Sequence, residues 1–344
     1  MGGLRRDEPV RENGRYGFQT VNGFVQAHPG YGFDAEPVNG MPLQTLWMYG
    51  SWQAVESGAY YAALRHMTPT GAMALLFYKA EPEGDFETVP GAARRSYKGA
   101  VFNDPRDGRV GIWDVMTGPD DQFFTLNVGP DGHTVYRERG MIDVQGPQRG
   151  DLMQSAVLDA ASPMTYTSRC VEASGIIMGE EVEGFFFTDQ HHLHRGTDWL
   201  VSDFFHGVQG VWVVFSTEYE DGSWDVGNLF WGFGGFASGM IQTSDGERST
   251  TTVMRAEIDE DEDDYVHEAR FHLGPDESEV WRFTCRHPEG YPRMPLMKVI
   301  GSPKWSEGVV TRVGEQRRWV KAEAWMETYP STIEALQQGT APRL

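Results

Sequence analysis

The chain has little cysteine: two residues, Cys170 and Cys285, in 344. That leaves no disulfide framework and no thiolate metal cage. No stretch approaches the ~18 uninterrupted apolar residues of a membrane-spanning helix. The opening, Met1-Gly2-Gly3-Leu4-Arg5-Arg6-Asp7-Glu8, lacks the apolar run of a secretory signal. Helix signals are scarce. The clearest is Ser331-Thr332-Ile333-Glu334, a capping box ahead of Ala335-Leu336-Gln337-Gln338, which predicts one or two turns at the C-terminus. Nucleotide motifs are missing too: no Gly-x-Gly-x-x-Gly opens a helix, and no phosphate-binding Gly-x-x-x-x-Gly-Lys-Ser/Thr loop occurs. A Gly-x-Ser-x-Gly nucleophile elbow is also absent. Positive charge is short, and the formal net charge is −21. Such a field repels nucleic-acid backbones and anionic membrane surfaces. These absences predict a cytoplasmic protein with no nucleic-acid partner, no membrane association and no organic cofactor. Homo-oligomerisation stays open.

What the chain has is aromatic residues and turns. There are 11 Trp, 13 Tyr and 19 Phe, types that favour strands and apolar cavities. Short strand-like runs are separated by Gly, Pro, Asp and Asn. Residues 43–53 lead to a run from Gly58 to Met67, then to the nearly all-apolar Ala72–Tyr78. Phe123 to Tyr136 reads as a hairpin around Gly129-Pro130-Asp131-Gly132, because Asp-Gly supplies the positive φ of a tight turn. Val211–Tyr219 and Trp224–Phe233 form a second hairpin around Asp221-Gly222. In 265–273 the odd residues are expected on one face and the even ones on the other. Residues 257–264 form an acidic run without the glycine and spacing of an EF-hand loop, and read as a solvated loop. The pattern predicts antiparallel barrels or sandwiches. At this length two domains are expected. Polar, Gly and Pro residues at 146–165 place the boundary near residue 160. The expected organisation is an N-terminal arm at 1–15, one β domain at 16–160 and a second at 161–344.

The densest polar cluster is Asp189-Gln190-His191-His192-Leu193-His194-Arg195-Gly196-Thr197-Asp198-Trp199, directly after the apolar Gly184-Phe185-Phe186-Phe187. Four of the ten histidines fall between residues 191 and 206. Histidine titrates near neutral pH, so a cluster beside carboxylates suits proton transfer. On a regular strand His192 and His194 share a side with Gln190, while His191 shares one with Asp189. Three readings stand side by side. The cluster is a general acid–base pair facing an apolar cavity. It is a metal site, His-x-His completed by Asp198 or His206. Or its polar groups only satisfy irregular backbone at a barrel mouth. In the N-terminal half, Glu56 sits among aromatics and is a second candidate acid, or else a surface turn residue before Ser57-Gly58.

The pattern resembles the two-domain lipocalin-like proteins, a group that includes carotenoid 1,2-hydratase, kievitone hydratase and Diels–Alderase-type cyclases. In the first half the likeness rests on Trp47–Tyr61. In the second it rests on a Gly-punctuated hairpin (Gly175, Gly179, Gly184), the Asp/His turn, the Trp-bearing strand 211–219 and Asp221-Gly222. Arg318–Glu327 looks like the closing strand with its terminal Glu. The family's turn reads Asp-His-x-Trp-Gly; here Asp189 and Gly196 remain, a histidine is offset, and the Trp is absent unless Trp199 replaces it. The resemblance implies an all-β fold of two consecutive lipocalin-like barrels or sandwiches, housing an apolar substrate that is hydrated, dehydrated, isomerised or cyclised without a cofactor.

The resulting expectation is a cofactor-independent lyase or isomerase acting on a small hydrophobic terpenoid-, steroid- or polyketide-like molecule. Asp189, His191, His192, His194 and Glu56 are the candidate acid–base residues. Trp52, Tyr60, Tyr61, Phe187, Trp199 and Trp212 are the candidate substrate wall, where negative ring faces stabilise developing positive charge. A non-catalytic carrier of a hydrophobic metabolite and a metal-dependent enzyme using the histidines are the alternatives.

Overall fold

The computed structural model describes residues 20–25, 33, 36–68, 71–82, 86–89, 95–97, 100–104, 109–113, 122–157, 163–195, 209–232, 236–262, 264–286, 304–329 and 333. The 1–15 arm, Asp198, Trp199 and His206 lie outside them.

The described residues form antiparallel strands. The first fourteen are β1 (Thr20–Val25), β2 (Leu43–Ala54), β3 (Tyr60–Thr68), β4 (Gly71–Ala80), β5 (Glu87–Thr88), β6 (Arg95–Tyr97), β7 (Ala100–Asp104), β8 (Arg109–Trp113), β9 (Gln122–Val128), β10 (Thr134–Glu138), β11 (Ile142–Gly146), β12 (Leu152–Val157), β13 (Met164–Ile177) and β14 (Glu180–Leu193). The rest are β15 (Gln209–Tyr219), β16 (Trp224–Gly232), β17 (Ala237–Thr243), β18 (Arg248–Thr251), β19 (Met254–Glu260), β20 (Val266–Leu273), β21 (Glu279–Cys285), β22 (Lys304–Arg312) and β23 (Trp319–Thr328). One sheet runs β5-β4-β3-β2-β14-β13-β11-β10-β9-β8-β7, with β6 beside β4. The other runs β18-β17-β16-β15-β23-β22-β21-β20-β19. The all-β expectation holds, with the two sheets curled into a half-barrel and a near-barrel.

The expected C-terminal helix lies outside the described residues except for Ile333, which is helical and whose amide donates to the Tyr329 carbonyl at 3.0 Å.

The chain groups into two compact units. The first comprises Val25–Leu152 and Thr165–Thr197; the second takes in the chain up to Phe24, Met153–Met164 and Asp198–Leu344. The first sheet takes in β13 and β14, which continue it to Leu193. The reason is that β14 returns across the sheet to pair with β2 along almost its whole length, from Val182↔Ala54 to His192↔Leu43. Within 146–165 the chain leaves the first unit after Leu152 and re-enters it at Thr165.

The turn chemistry reads as expected. Gly129 N–H donates to His133 O at 2.8 Å and Gly132 has φ +82°, closing β9 onto β10. Gly222, at φ +80°, does the same between β15 and β16. The alternation in β20 holds for Ala269, Phe271 and Leu273, which are buried, but slips at its start. Val266, expected outside, is fully buried in the second core. The register shift between Asp259 and Glu260 on the facing β19 accounts for it.

Each unit has its own core. In the first, Leu46, Met48, Trp52, Ala63, Phe77, Tyr136, Val144 and Phe186 pack on one face of the sheet. In the second, Val213, Phe215, Leu229, Phe271, Phe283, Ala324 and Met326 do the same. The close approach of β2 and β14 depends on Gly184. A Cβ there would stand 2.2 Å from Ser51 O and 2.7 Å from Trp52 Cα, so only glycine admits the pairing that carries Asp189.

Candidate functional site

Strand β14 is buried on both faces through its C-terminal half. Phe186 points to the core. One residue of offset puts Phe187, Asp189 and His191 on the opposite face, across from Tyr49, Trp47 and Thr45 of β2. All six are buried. This face, normally the polar one in a half-exposed sheet, holds the candidate site.

Asp189 is its centre, only 2% exposed. Tyr49 and Tyr166 each donate a phenol hydrogen bond to its Oδ2, both at 2.8 Å. The two donors come from different strands, β2 and β13, so the carboxylate is clamped from both sides of β14. Tyr49 is held well above its usual pKa, first by burial, then by the charge of Asp189 and by Tyr166. It therefore stays a phenol and a hydrogen-bond donor at any working pH. Its ring stacks on Phe187 with centroids 5.7 Å apart.

His191 lies edge-on to Tyr166, centroids 5.3 Å apart. Burial pushes its pKa down to about 3, helped by neighbouring His66 and His192. His66 in turn stacks on Trp47 at 4.2 Å. A neutral, fully buried imidazole beside a phenol–carboxylate pair can hold a water or a substrate hydroxyl without adding charge.

One prediction follows from His191. Its folded pKa lies below the ordinary 6.5, so the native state binds fewer protons than the unfolded chain between about pH 6.5 and 3. Its contribution to stability is complete above 6.5 and is lost as pH falls through that window. In NMR titration the His191 ring signals stay flat between pH 5 and 8. A His191 midpoint above 6 contradicts this placement.

The other expected residues scatter. His192, fully buried, follows a register shift after His191 and places Nδ1 3.2 Å from Met41 O. His194 is exposed just past the strand end. Glu56 is exposed in the turn after β2, where the chain folds back on Gly58 at φ +73°; it does not join the buried set. Trp52 and Tyr61 belong to the first core, and the Tyr61 hydroxyl donates to Glu180. Tyr60 is half-buried. Trp212 sits in the second unit, tilted against Phe230. Among the described residues no group of three or more His, Cys, Asp or Glu could hold a metal ion. Cys170 and Cys285 are both buried thiols.

Residues outside the expected acid–base and wall sets complete the first site: Tyr49, Tyr166, Trp47 and His66. The second unit carries its own buried acid, Glu327. It accepts from Trp305 Nε1 at 2.6 Å and Gln209 Nε2 at 3.0 Å. Burial raises its pKa against those hydrogen bonds. A cleft of about 690 Å³ opens elsewhere on the first unit, at the β10–β11 turn, lined by Arg137, Glu138, Met141 and Asp143 among others. None of its lining residues belongs to the Asp189 set.

The sequence matches no family model and no curated protein. Solved structures do match. A Nitrosomonas europaea protein described as AttH superposes with a TM-score of 0.50 over 89% of this chain and 99% of its own, at 13% identity. The fold is the two-domain lipocalin-like one. Kievitone hydratase from Nectria haematococca is a more distant likeness, with a TM-score of 0.40 at 10% identity, covering 90% of this chain and 98% of its own. At such identities the lipocalin-like likeness speaks for the scaffold, and chemistry has to be argued from the side chains.

Among the described residues no helix is long and apolar enough to cross a membrane.

Proposed function

We propose that the protein is a cofactor-independent lyase or isomerase that moves a proton on a small hydrophobic molecule, with Asp189 as the proton-transfer residue. The observation that carries this reading is the pair of buried tyrosine hydroxyls on one oxygen of a buried aspartate. Buried carboxylates are costly unless paired or hydrogen-bonded. Here two neutral phenols donate to one carboxylate oxygen and fix the orientation of the group for proton transfer.

The chemistry runs in one sequence. Asp189 takes a proton from a carbon next to a carbonyl or double bond, and the electron pair of that C–H bond shifts into the adjacent π system. Returning the proton to a different carbon isomerises the double bond. Passing it to a departing hydroxyl releases water and forms an alkene; the reverse order hydrates one. Tyr49 and Tyr166 fix the carboxylate and support the charge that changes during transfer. Neutral His191 holds the water or hydroxyl. Phe187 and the ring of Tyr49 supply an apolar wall. The substrate class is a terpenoid-, steroid- or polyketide-like molecule, on grounds of that wall.

Incubation of the purified protein with a panel of apolar alcohols, enones and alkenes, followed by mass spectrometry, tests this. Gain or loss of 18 mass units, or an isomer at unchanged mass, is expected for at least one compound. Tight binding without conversion across the panel makes the protein a carrier and overturns the enzymatic reading.

A further inference from the structure

The non-core face of the second sheet holds acidic groups that the proposed reaction does not use. The core of that unit takes Val213 and Phe215 of β15 and Ala324 and Met326 of β23. The alternate residues of β23, namely Glu323, Trp325 and Glu327, face the other way. Trp325 pairs with Glu307 of β22, and Glu327 with Trp305. Glu307 and Glu323 are 0% exposed and Glu327 is 7% exposed.

Glu307 stands apart within this set. Among the described residues neither side-chain oxygen has a hydrogen-bond partner. The Arg286 guanidinium forms a long ion pair with it, Nη2 standing 3.9 Å from Oε1, too far for a hydrogen bond. That same Nη2 is committed to the Ala322 carbonyl at 2.5 Å. The two other donors nearby, Cys285 Sγ and Arg286 N–H, go to the backbone carbonyl of Glu307 and not to its carboxyl. Ser216, fully buried on the same face opposite Glu323, also has an uncommitted hydroxyl.

A buried carboxyl without a donor is among the costliest arrangements in a protein. Its surroundings name the missing partner. Glu307 lies directly across from Trp325 and two residues along from Trp305. The two indoles sit 6.2 Å apart at 48°. Indole faces attract cations. The Arg286 guanidinium faces Glu307 from one side without donating a hydrogen bond to it; an ammonium supplies the missing donors and suits the indoles as well.

We propose that the second unit binds an alkylammonium ligand, with its ammonium on Glu307 and its alkyl chain against Trp305 and Trp325. The site is independent of the Asp189 chemistry.

Calorimetric titration of the full chain in phosphate buffer with hexylammonium chloride, 1-hexanol and sodium hexanoate tests it. One hexylammonium is expected to bind per chain, at least about tenfold tighter than either size-matched control. Glu307→Gln is expected to weaken hexylammonium binding by about thirtyfold or more, as loss of one partner of a buried charge pair does. Asp189→Asn is expected to leave it unchanged. Equal affinity for hexanol, no hexylammonium binding, or an unchanged affinity in folded Glu307→Gln overturns the proposal. If Glu307→Gln does not fold, Trp305→Phe replaces it: weakened hexylammonium binding supports the site, and unchanged binding overturns it.

Discussion

Asp189→Asn is expected to lower turnover by ~10²–10⁴-fold, the range that a positioned acid–base group supplies, while the protein stays folded. The amide keeps the shape of the carboxyl and can still accept from Tyr49 and Tyr166 through its oxygen. It cannot carry the proton. Tyr49→Phe and Tyr166→Phe each remove one hydrogen bond to a charged group, worth ~1.5–3 kcal/mol. Their effects on kcat are therefore smaller than that of Asp189→Asn. Because both phenols share one oxygen, the double variant is expected to lose less than the product of the two single losses. Glu56→Gln and His194→Ala serve as controls, since both residues are exposed, and neither changes turnover. Full turnover in folded Asp189→Asn removes the basis of the assignment.

The largest stability effect is expected at Arg65. Its guanidinium is bound to Glu138 through Nε and, at 3.1 Å, through Nη2. Nη1 donates to the Leu64 and Leu76 carbonyls, and the cation lies 5.6 Å over the Phe77 ring. Tyr136 adds a hydrogen bond to Glu138. The two side chains are 2% and 0% exposed, and they tie β3 to β10 across the first core. Removing one partner of such a pair strands the other charge in a dry interior, at a cost of about 3–5 kcal/mol. Arg65→Met is therefore expected to lower the urea midpoint sharply. Adding Glu138→Leu recovers part of the loss, since the stranded carboxylate is then gone as well. A single-variant loss below about 1 kcal/mol, the size of a surface ion pair, contradicts this description. The pair also backs the functional site. Arg65 stands opposite Met48, and Met48 opposite Thr188, next to Asp189.

Much of the fold is legible in the residues, for definite reasons. Asp131-Gly132 and Asp221-Gly222 encode their turns because glycine alone takes positive φ there without cost. Ala269, Phe271 and Leu273 show their inward face by alternation. The domain organisation was legible in part. Two changes of unit fall within 146–165, but the return of the chain to the first sheet left no local mark: the pairing of β14 with β2 joins residues some 140 positions apart in sequence. No local pattern records that distance. The same pairing hid half of the site. Asp189 and His191 announce themselves as polar groups following three phenylalanines. Tyr49 lies in a largely apolar run, where tyrosine reads as core, and Tyr166 in a Thr/Ser-rich strand far from Asp189 in sequence; only the register brings them to Asp189. His192 illustrates the limit of strand reasoning: a register shift directly after His191 breaks the alternation on which its expected side depended. Glu327 was visible only as the last acid of the closing strand, with nothing to reveal Trp305 and Gln209 beside it.

Deuterium incorporation tests the central claim most directly. A converted compound from the panel is incubated in D₂O with wild type and with Asp189→Asn, and the product is analysed by mass spectrometry and NMR. The account predicts deuterium on one specific carbon with wild type and none above the uncatalysed background with the variant. Equal, site-specific labelling by both proteins would show that the proton travels by another group.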